Sequence, residues 1–161
     1  MADDRLTELE RRLQTIEDER AIERLIASYG PLVDAGQSEA AAQLWSPDGV
    51  YDVEGWAMNS RDDVAAMVAS DAHQGLIRRG AAHFLGPAVV TVDGDKAVAV
   101  CESLLVVHRD GGYTVWRAGA NHFELRRIDH RWQITARVTR PLDGGAQARE
   151  LLTAGVAGSP R

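Results

Sequence analysis

The sequence predicts an α+β fold: helices packed on one face of a strongly curved, antiparallel (mixed) β-sheet. Three observations carry that reading. Apolar residues recur at helical spacing only in the first half of the chain; from Ala82 onward the pattern changes to long strand-like runs broken by turn residues; and 161 residues are one domain's worth of chain. Helices first and a strand meander afterwards is the order that segregates helices from the sheet.

The elements follow in order. Leu6, Leu9, Leu13 and Ile16 alternate in steps of three and four, which places them on one stripe of a helix rich in Glu and Arg. Four positions do not by themselves establish a coiled coil, so this stripe is expected to dock on the domain or on a neighbouring subunit. A second helical phase begins near Asp18, with Ile22, Leu25, Ile26, Tyr29 and Val33 inward. Pro31 is expected to kink or shift it, and Gly36 to end it. Ser38 can cap a short helix over Glu39 to Trp45, stopped by Pro47, after which Asp48-Gly49 turns the chain. Val50 to Val53 alternates as a strand, with Tyr51 and Val53 on one side and Asp52 on the other. Ser60-Arg61-Asp62-Asp63 has the form of a capping box and opens a helix through Val64, Met67 and Val68 that fades by Gly75.

The strand half comprises Phe84 to Val92, Ala97 to His108, Tyr113 to Arg127 and Trp132 to Thr139. The connectors Asp93-Gly94-Asp95, Asp110-Gly111-Gly112 and Asp129-His130-Arg131 suit hairpins. Only Ala146 to Leu152 is helical after Pro141, and Ala157 to Arg161 is expected to be loose. The domain organisation expected is therefore an N-terminal helical extension (1–17), a single domain (18–140) and a C-terminal tail (141–161).

Composition narrows the function. Lys and Arg total 18 against 24 acids, the only Lys is Lys96, and the Arg residues are scattered, so the basic stripe that nucleic acid requires is missing. No run approaches the roughly 20 apolar residues of a membrane span. The polar N-terminus is not a signal peptide, and the expected location is the cytoplasm. Cys101, the only cysteine, excludes an intrachain disulfide and is expected as a buried strand thiol. His73, His83 and His108 lack metal-ligand spacing and an acidic companion, so no metal is expected. His73, His130 and Arg78-Arg79 are expected at the surface.

The chemistry-bearing stretch is Ala82-His83-Phe84-Leu85-Gly86, a histidine heading a strand-like run. Its expected partner is Asp34, at the end of an apolar helix, where a carboxylate is costly to desolvate unless something pairs with it. A carboxylate in turn fixes the tautomer of an imidazole. Such a pair is either a proton-transfer dyad or a buried structural pair. Tyr29, one helical turn earlier, is either a hydrogen-bond donor to substrate or a core aromatic. Asn121 shares strand parity with Phe123 and Leu125 and faces inward, for a structural bond or a ligand contact. His122, Glu124 and Arg126, of opposite parity, read as a solvated or subunit-contact face.

The order of elements with these residues, across Ile22 to Thr139, resembles the SnoaL-like branch of the NTF2-like superfamily. Its lyases offer the nearest likenesses: scytalone dehydratase, bile-acid 7α-dehydratase and hexachlorocyclohexane dehydrochlorinase. Tyr29 and Asp34 match the helix tyrosine and aspartate of the bile-acid enzyme, His83 matches the catalytic histidine of all three, and His83-Phe84-Leu85-Gly86 is similar to the scytalone dehydratase run. Tyr51 falls on a pocket tryptophan of the dehydrochlorinase and Asn121 on a pocket asparagine of scytalone dehydratase. His108, close to a hairpin tip, does not replace the second scytalone dehydratase histidine, and Leu104 or Leu105 stands where the bile-acid enzyme has an aspartate. The resemblance implies a cone enclosing an apolar pocket. It also implies a cofactor-independent, dehydratase-type lyase for an alicyclic, steroid-like or polyketide-like substrate. His83, Asp34 and Tyr29 would be catalytic, and Tyr51, Val53, Asn121 and Phe123 would form the wall. An isomerase or cyclase, or a non-catalytic binding or assembly protein, is the alternative. Exposed apolar stripes and the likeness together imply a homo-oligomer, a trimer ahead of a dimer.

Overall fold

The structure is a computed structural model that describes residues 2–161. Its first helix, α1 (Ala2–Asp34), runs unbroken for 33 residues. Pro31, expected to kink or shift the helix, leaves its helical run continuous. Pro31 sits in the last turn, where its missing N–H forfeits a single bond, and the helix ends three residues later. Gly36, at φ +70°, closes it by donating to the Val33 carbonyl while Gln37 donates to that of Leu32.

Helix α2 (Ser38–Ala42) is shorter than expected, and Ser38 lies inside it without acting as a cap. Trp45 and Pro47 belong to strand β1 (Trp45–Val53), not to a helix and its stop signal. Pro47-Asp48-Gly49 is accommodated where the register of β1 shifts between Trp45 and Val50, a bulge that leaves proline's missing donor without consequence. Strand β2 (Trp56–Met58) folds back across Glu54-Gly55. Helix α3 (Arg61–Ala69) is capped as expected, the Ser60 hydroxyl accepting from the Asp63 N–H at 3.1 Å. A further helix, α4 (Asp71–Arg79), follows at once with Ser70 as its cap, so the helical region extends beyond Gly75.

The expected strand from Phe84 to Val92 is two strands, β3 (Ala81–Leu85) and β4 (Val89–Asp93), separated at Gly86-Pro87. Strands β5 (Lys96–Arg109), β6 (Gly112–Ile128) and β7 (Arg131–Pro141) fall where the pattern put them, and α5 (Ala146–Val156) ends the fold. The sheet order is β2-β1-β7-β6-β5-β3, with β4 also paired to β5. All pairs are antiparallel except β1 with β7, which is parallel. Register shifts in the β5–β6 and β6–β7 ladders bend these long strands.

The main core lies inside the bend. Ile22, Ile26 and Val33 of α1 meet Trp45, Ala99, Phe123 and Leu125. Cys101 is buried there, and burial pushes its thiol up to about 11. The outer face is covered too, contrary to the expectation of a solvated surface. Helix α5 lays Ala148 and Leu151 on Ala120, and its Gly155 lies against Val100 so closely that any Cβ would overlap that side chain. His122 is 1% exposed, its Nε2–H donating to the Ser159 carbonyl at 2.9 Å, and the Arg161 N–H donates to the Glu124 carboxylate. The tail beyond Ala157, though mostly exposed, is thus a strap tied to the sheet by backbone contacts at Ser159 and Arg161 that its composition does not advertise. No helix among the described residues is long and apolar enough to cross a membrane.

Asp18 fastens the middle of α1 to the sheet. Its carboxylate accepts two bonds from Arg127 at 2.7 Å and one from the Trp132 indole at 3.0 Å. Burial acts to raise its pKa, but these donors outweigh it and hold the carboxyl below its ordinary value. Asp18→Asn is expected to cost about 1.5–3 kcal/mol, the usual loss for hydrogen bonds to a charged group. Because the folded pKa is depressed, the contribution is complete above the unfolded pKa of about 3.9 and disappears as pH falls through the lower folded value. The difference between the melting temperatures of wild type and variant should therefore be smaller at pH 3 than at pH 7.

Candidate active site

A cavity of about 490 Å³ opens between the α4 side of the helical layer and the inner face of the sheet. Its wall includes Tyr29 from α1, Tyr51 and Val53 from β1, His73 from α4, His83 from β3, and Arg137 and Thr139 from β7. Met58, Leu76, Leu85 and Trp116 add apolar and aromatic surface.

Asp34 and His83 are in direct contact. The Asp34 Oδ1 accepts from His83 Nδ1–H at 2.6 Å, and its Oδ2 accepts from the backbone N–H of the same residue at 2.7 Å. One carboxylate therefore fixes both the strand and the ring. With Nδ1 bearing the proton, Nε2 is the ring's lone-pair nitrogen, carried by a residue of the cavity wall. The approach needs Gly30. A Cβ at that position would overlap the His83 carbonyl oxygen, so only glycine lets α1 come this near to β3.

His73, expected at the surface, is 8% exposed and stacks on His83, ring centroids 5.3 Å apart and 30° off parallel. Its Nε2–H donates to the Val33 carbonyl at 3.2 Å. Burial pushes its pKa down, reinforced by His83 nearby and opposed by the Val33 bond and by Asp34. A neutral imidazole thus backs the dyad. The sequence carried a usable signal for it, since a helix starting at Ser70 puts His73 on the face of Leu76 and Ile77.

Tyr29 is 5% exposed, set edge-on to Trp45 at 5.7 Å and to Tyr51 at 6.4 Å. Burial first, and Tyr51 second, push its phenol well above the ordinary value, so it keeps its proton and remains a donor. Between these rings lies Arg137, which the sequence reading did not single out. It is 3% exposed, and its guanidinium stands 4.4 Å from the centroids of Tyr29 and Tyr51 and 5.1 Å from that of Phe123. Its Nε and Nη2 donate to Asn121 Oδ1 at 3.2 and 2.7 Å, while Nη1 is buried without a hydrogen-bond partner.

Asn121 and Phe123 face inward but lie beneath the wall. The Asn121 amide is engaged by Arg137, by the Thr139 hydroxyl at 2.7 Å and by Ser103 Oγ at 2.8 Å, which assigns it to holding the arginine. Phe123 forms the floor under the same guanidinium. His108 stacks beside Tyr113 at 5.1 Å near the β5–β6 turn, away from the cavity wall. Among the described residues, no three His, Cys, Asp or Glu side chains are grouped to hold a metal ion.

Known proteins share this architecture. A family model described as a SnoaL-like domain matches residues 14–138. An NTF2-like protein with a cystatin-like fold from Novosphingobium aromaticivorans is 43% identical, with a TM-score of 0.89 over 91% of this chain and 96% of that one. A Mycobacterium tuberculosis protein of unknown function shares the fold at TM-score 0.70 and 21% identity, covering 86% and 91% of the two chains. Aln2 from a Streptomyces species does so at 0.69 and 16%, covering 83% and 96%. No curated protein matches the chain.

The glycine contact yields a direct test. Gly30→Ala should force α1 away from β3, cost about 1–3 kcal/mol as overpacking does, and weaken the bond between Asp34 and His83. A thermal melt together with the NMR signal of the His83 Nδ1 proton reads both effects; an unchanged signal would mean that the helix does not set the dyad.

Proposed function

The chain belongs to the SnoaL-like family of NTF2-like folds, and from that premise we propose that it is a cofactor-independent lyase. It carries out a dehydratase-type β-elimination on a small alicyclic, steroid-like or polyketide-like substrate. The observation that carries this reading is the pair of hydrogen bonds that His83 donates to the Asp34 carboxylate, which leaves one imidazole nitrogen with a lone pair at a largely apolar cavity.

Elimination needs a base for a proton beside an activating carbonyl and an acid for the departing hydroxide. His83 Nε2 takes the proton, the C–H electron pair becomes the new C=C bond, the β C–O bond breaks, and the imidazolium returns the proton to hydroxide as water. Asp34 holds the ring and stabilises the imidazolium. Negative charge builds on the carbonyl oxygen as the proton leaves. The un-ionised Tyr29 hydroxyl is the donor suited to receive it, and the Arg137 guanidinium stacked on the Tyr29 ring adds positive charge behind it. Tyr51 and Val53 pack against the substrate skeleton, while Asn121 and Phe123 hold Arg137 in place. The exposure of Leu6, Leu9, Leu13 and Ile16, at 50–59%, supports a homo-oligomer, and the likeness to the lyases puts a trimer ahead of a dimer.

Asp34→Asn should keep the fold yet lose about 10²–10⁴-fold in turnover, the usual worth of positioned acid-base catalysis. His83→Ala should lose as much and the double variant little more, because the pair acts as one unit. Arg137→Met should lower kcat with little change in melting temperature, since a buried unpaired cation is replaced by an apolar side chain of similar reach. The measurement is turnover of β-hydroxy ketones and cyclic alcohols followed by mass, beside thermal melts. Activity surviving in His83→Ala would overturn the mechanism, and a product of unchanged mass would replace the lyase by an isomerase.

A further inference from the structure

Helix α1 carries two apolar stripes that face in different directions. From Asp18 onward its buried residues Ile22, Ile26, Tyr29 and Val33 lie on this chain's own core. Before that point Leu6, Leu9, Leu13 and Ile16 are 57, 50, 56 and 59% exposed. At 100° per residue the exposed stripe is turned about 150° from the buried one. Continuing the helix along its own domain therefore cannot cover it. The segment 2–17 projects by about 24 Å, at 1.5 Å per residue.

The spacing assigns Leu6 and Leu13 to position a of a heptad and Leu9 and Ile16 to position d. Asp18, which grips this chain's own sheet through Arg127 and Trp132, then falls at f, on the side opposite the stripe. Glu8 and Arg11, at c and f, are paired with each other on the outer side at 2.7 and 3.0 Å. The flanks of the stripe are Arg5 and Arg12 at g, and Glu10 and Glu17 at e. In a parallel coiled coil each g residue faces the e residue five positions later on its neighbour. That register sets Arg5 against Glu10 and Arg12 against Glu17, with every pair of opposite sign. An antiparallel arrangement sets Arg against Arg and Glu against Glu.

We propose that residues 5–17 of α1 form a parallel coiled coil with the same segment of neighbouring copies of this chain, selected by these charge pairs. The inference rests on the self-association proposed above and adds its surface, direction and register. Leu at both a positions departs from the β-branched a, Leu d pattern that favours two strands, and Ile16 at one of the two d positions adds to this, in keeping with a trimer. Two heptads are short for an isolated coil, but here each strand is the rigid continuation of a helix already anchored at Asp18, so little of it must be ordered on association.

The test uses the full chain. Arg5→Glu with Arg12→Glu makes both flanks acidic, and Glu10→Arg with Glu17→Arg makes both basic. Sedimentation should show each variant alone associating at least about tenfold more weakly than wild type, and an equimolar mixture of the two associating more tightly than either alone though short of wild type, because two of the three e/g interfaces of a mixed trimer carry opposite charges. Leu6→Cys should form an intermolecular disulfide under mild oxidation, because only a parallel register brings position 6 to itself; the native Cys101 is buried. Variants that associate like wild type, or a Leu6→Cys protein that stays uncrosslinked, would overturn the coiled coil while leaving self-association standing. A wild type that is monomeric at micromolar concentration would overturn both.

Discussion

The site depends on one close approach. The Asp34 carboxylate binds both the ring and the backbone N–H of His83, and this is possible only because Gly30 removes the Cβ that would hold α1 off β3. A carboxylate at a helix C-terminus is unfavourable against the helix dipole and is only part-buried here, so it needs donors at close range. The two N–H groups of one residue supply them. The same contact that settles this electrostatic problem orients the imidazole, so helix docking and ring orientation form a single constraint.

Arg137 poses the opposite problem, a buried cation with no carboxylate at hand. Three aromatic faces and one amide oxygen surround it, which offset part of the desolvation by cation–π attraction and hydrogen bonding. Nη1 is left without a partner. A protein gains no stability from leaving that donor unmatched, since an unsatisfied buried group carries a desolvation cost. Under the proposed elimination this cost has a use, because a preorganised cation beside a cavity of low polarity interacts strongly with charge that develops there. His73 contributes in a quieter way: a neutral ring stacked on His83 fills the space behind the dyad without adding charge.

Both faces of the sheet are covered, and this changes what the outer residues do. His122 is a buried hydrogen-bond donor to the C-terminal strap, not part of a subunit contact. Exposed apolar surface remains at the free half of α1, near the cavity at Trp56 and Trp116, which stand 59 and 57% exposed, and at further positions such as Phe84, Tyr113 and Val156.

The sequence alone determined the class of fold, the three long strands, the Ser60 cap, the pairing of Asp34 with His83 and the inward setting of Tyr29, Tyr51 and Asn121. Each of these rests on local periodicity, on turn chemistry or on the cost of burying a single charge, all of which are properties of neighbouring residues. Arg137 was not legible, because period-two alternation from Trp132 and Ile134 directs it outward. The register shift between β6 and β7 inserts one residue near Thr135 and reverses the facing of everything after it. Trp45 and Pro47 were misread for a related reason, a bulge that only the parallel pairing of β1 with β7 accommodates. His73, the strap over His122 and the continuous run of α1 through Pro31 likewise required the tertiary structure. Which side of a helix or strand is buried, and whether a glycine serves as a turn or as a point of contact, is decided by the partner that packs against it, and that partner lies far away in the chain.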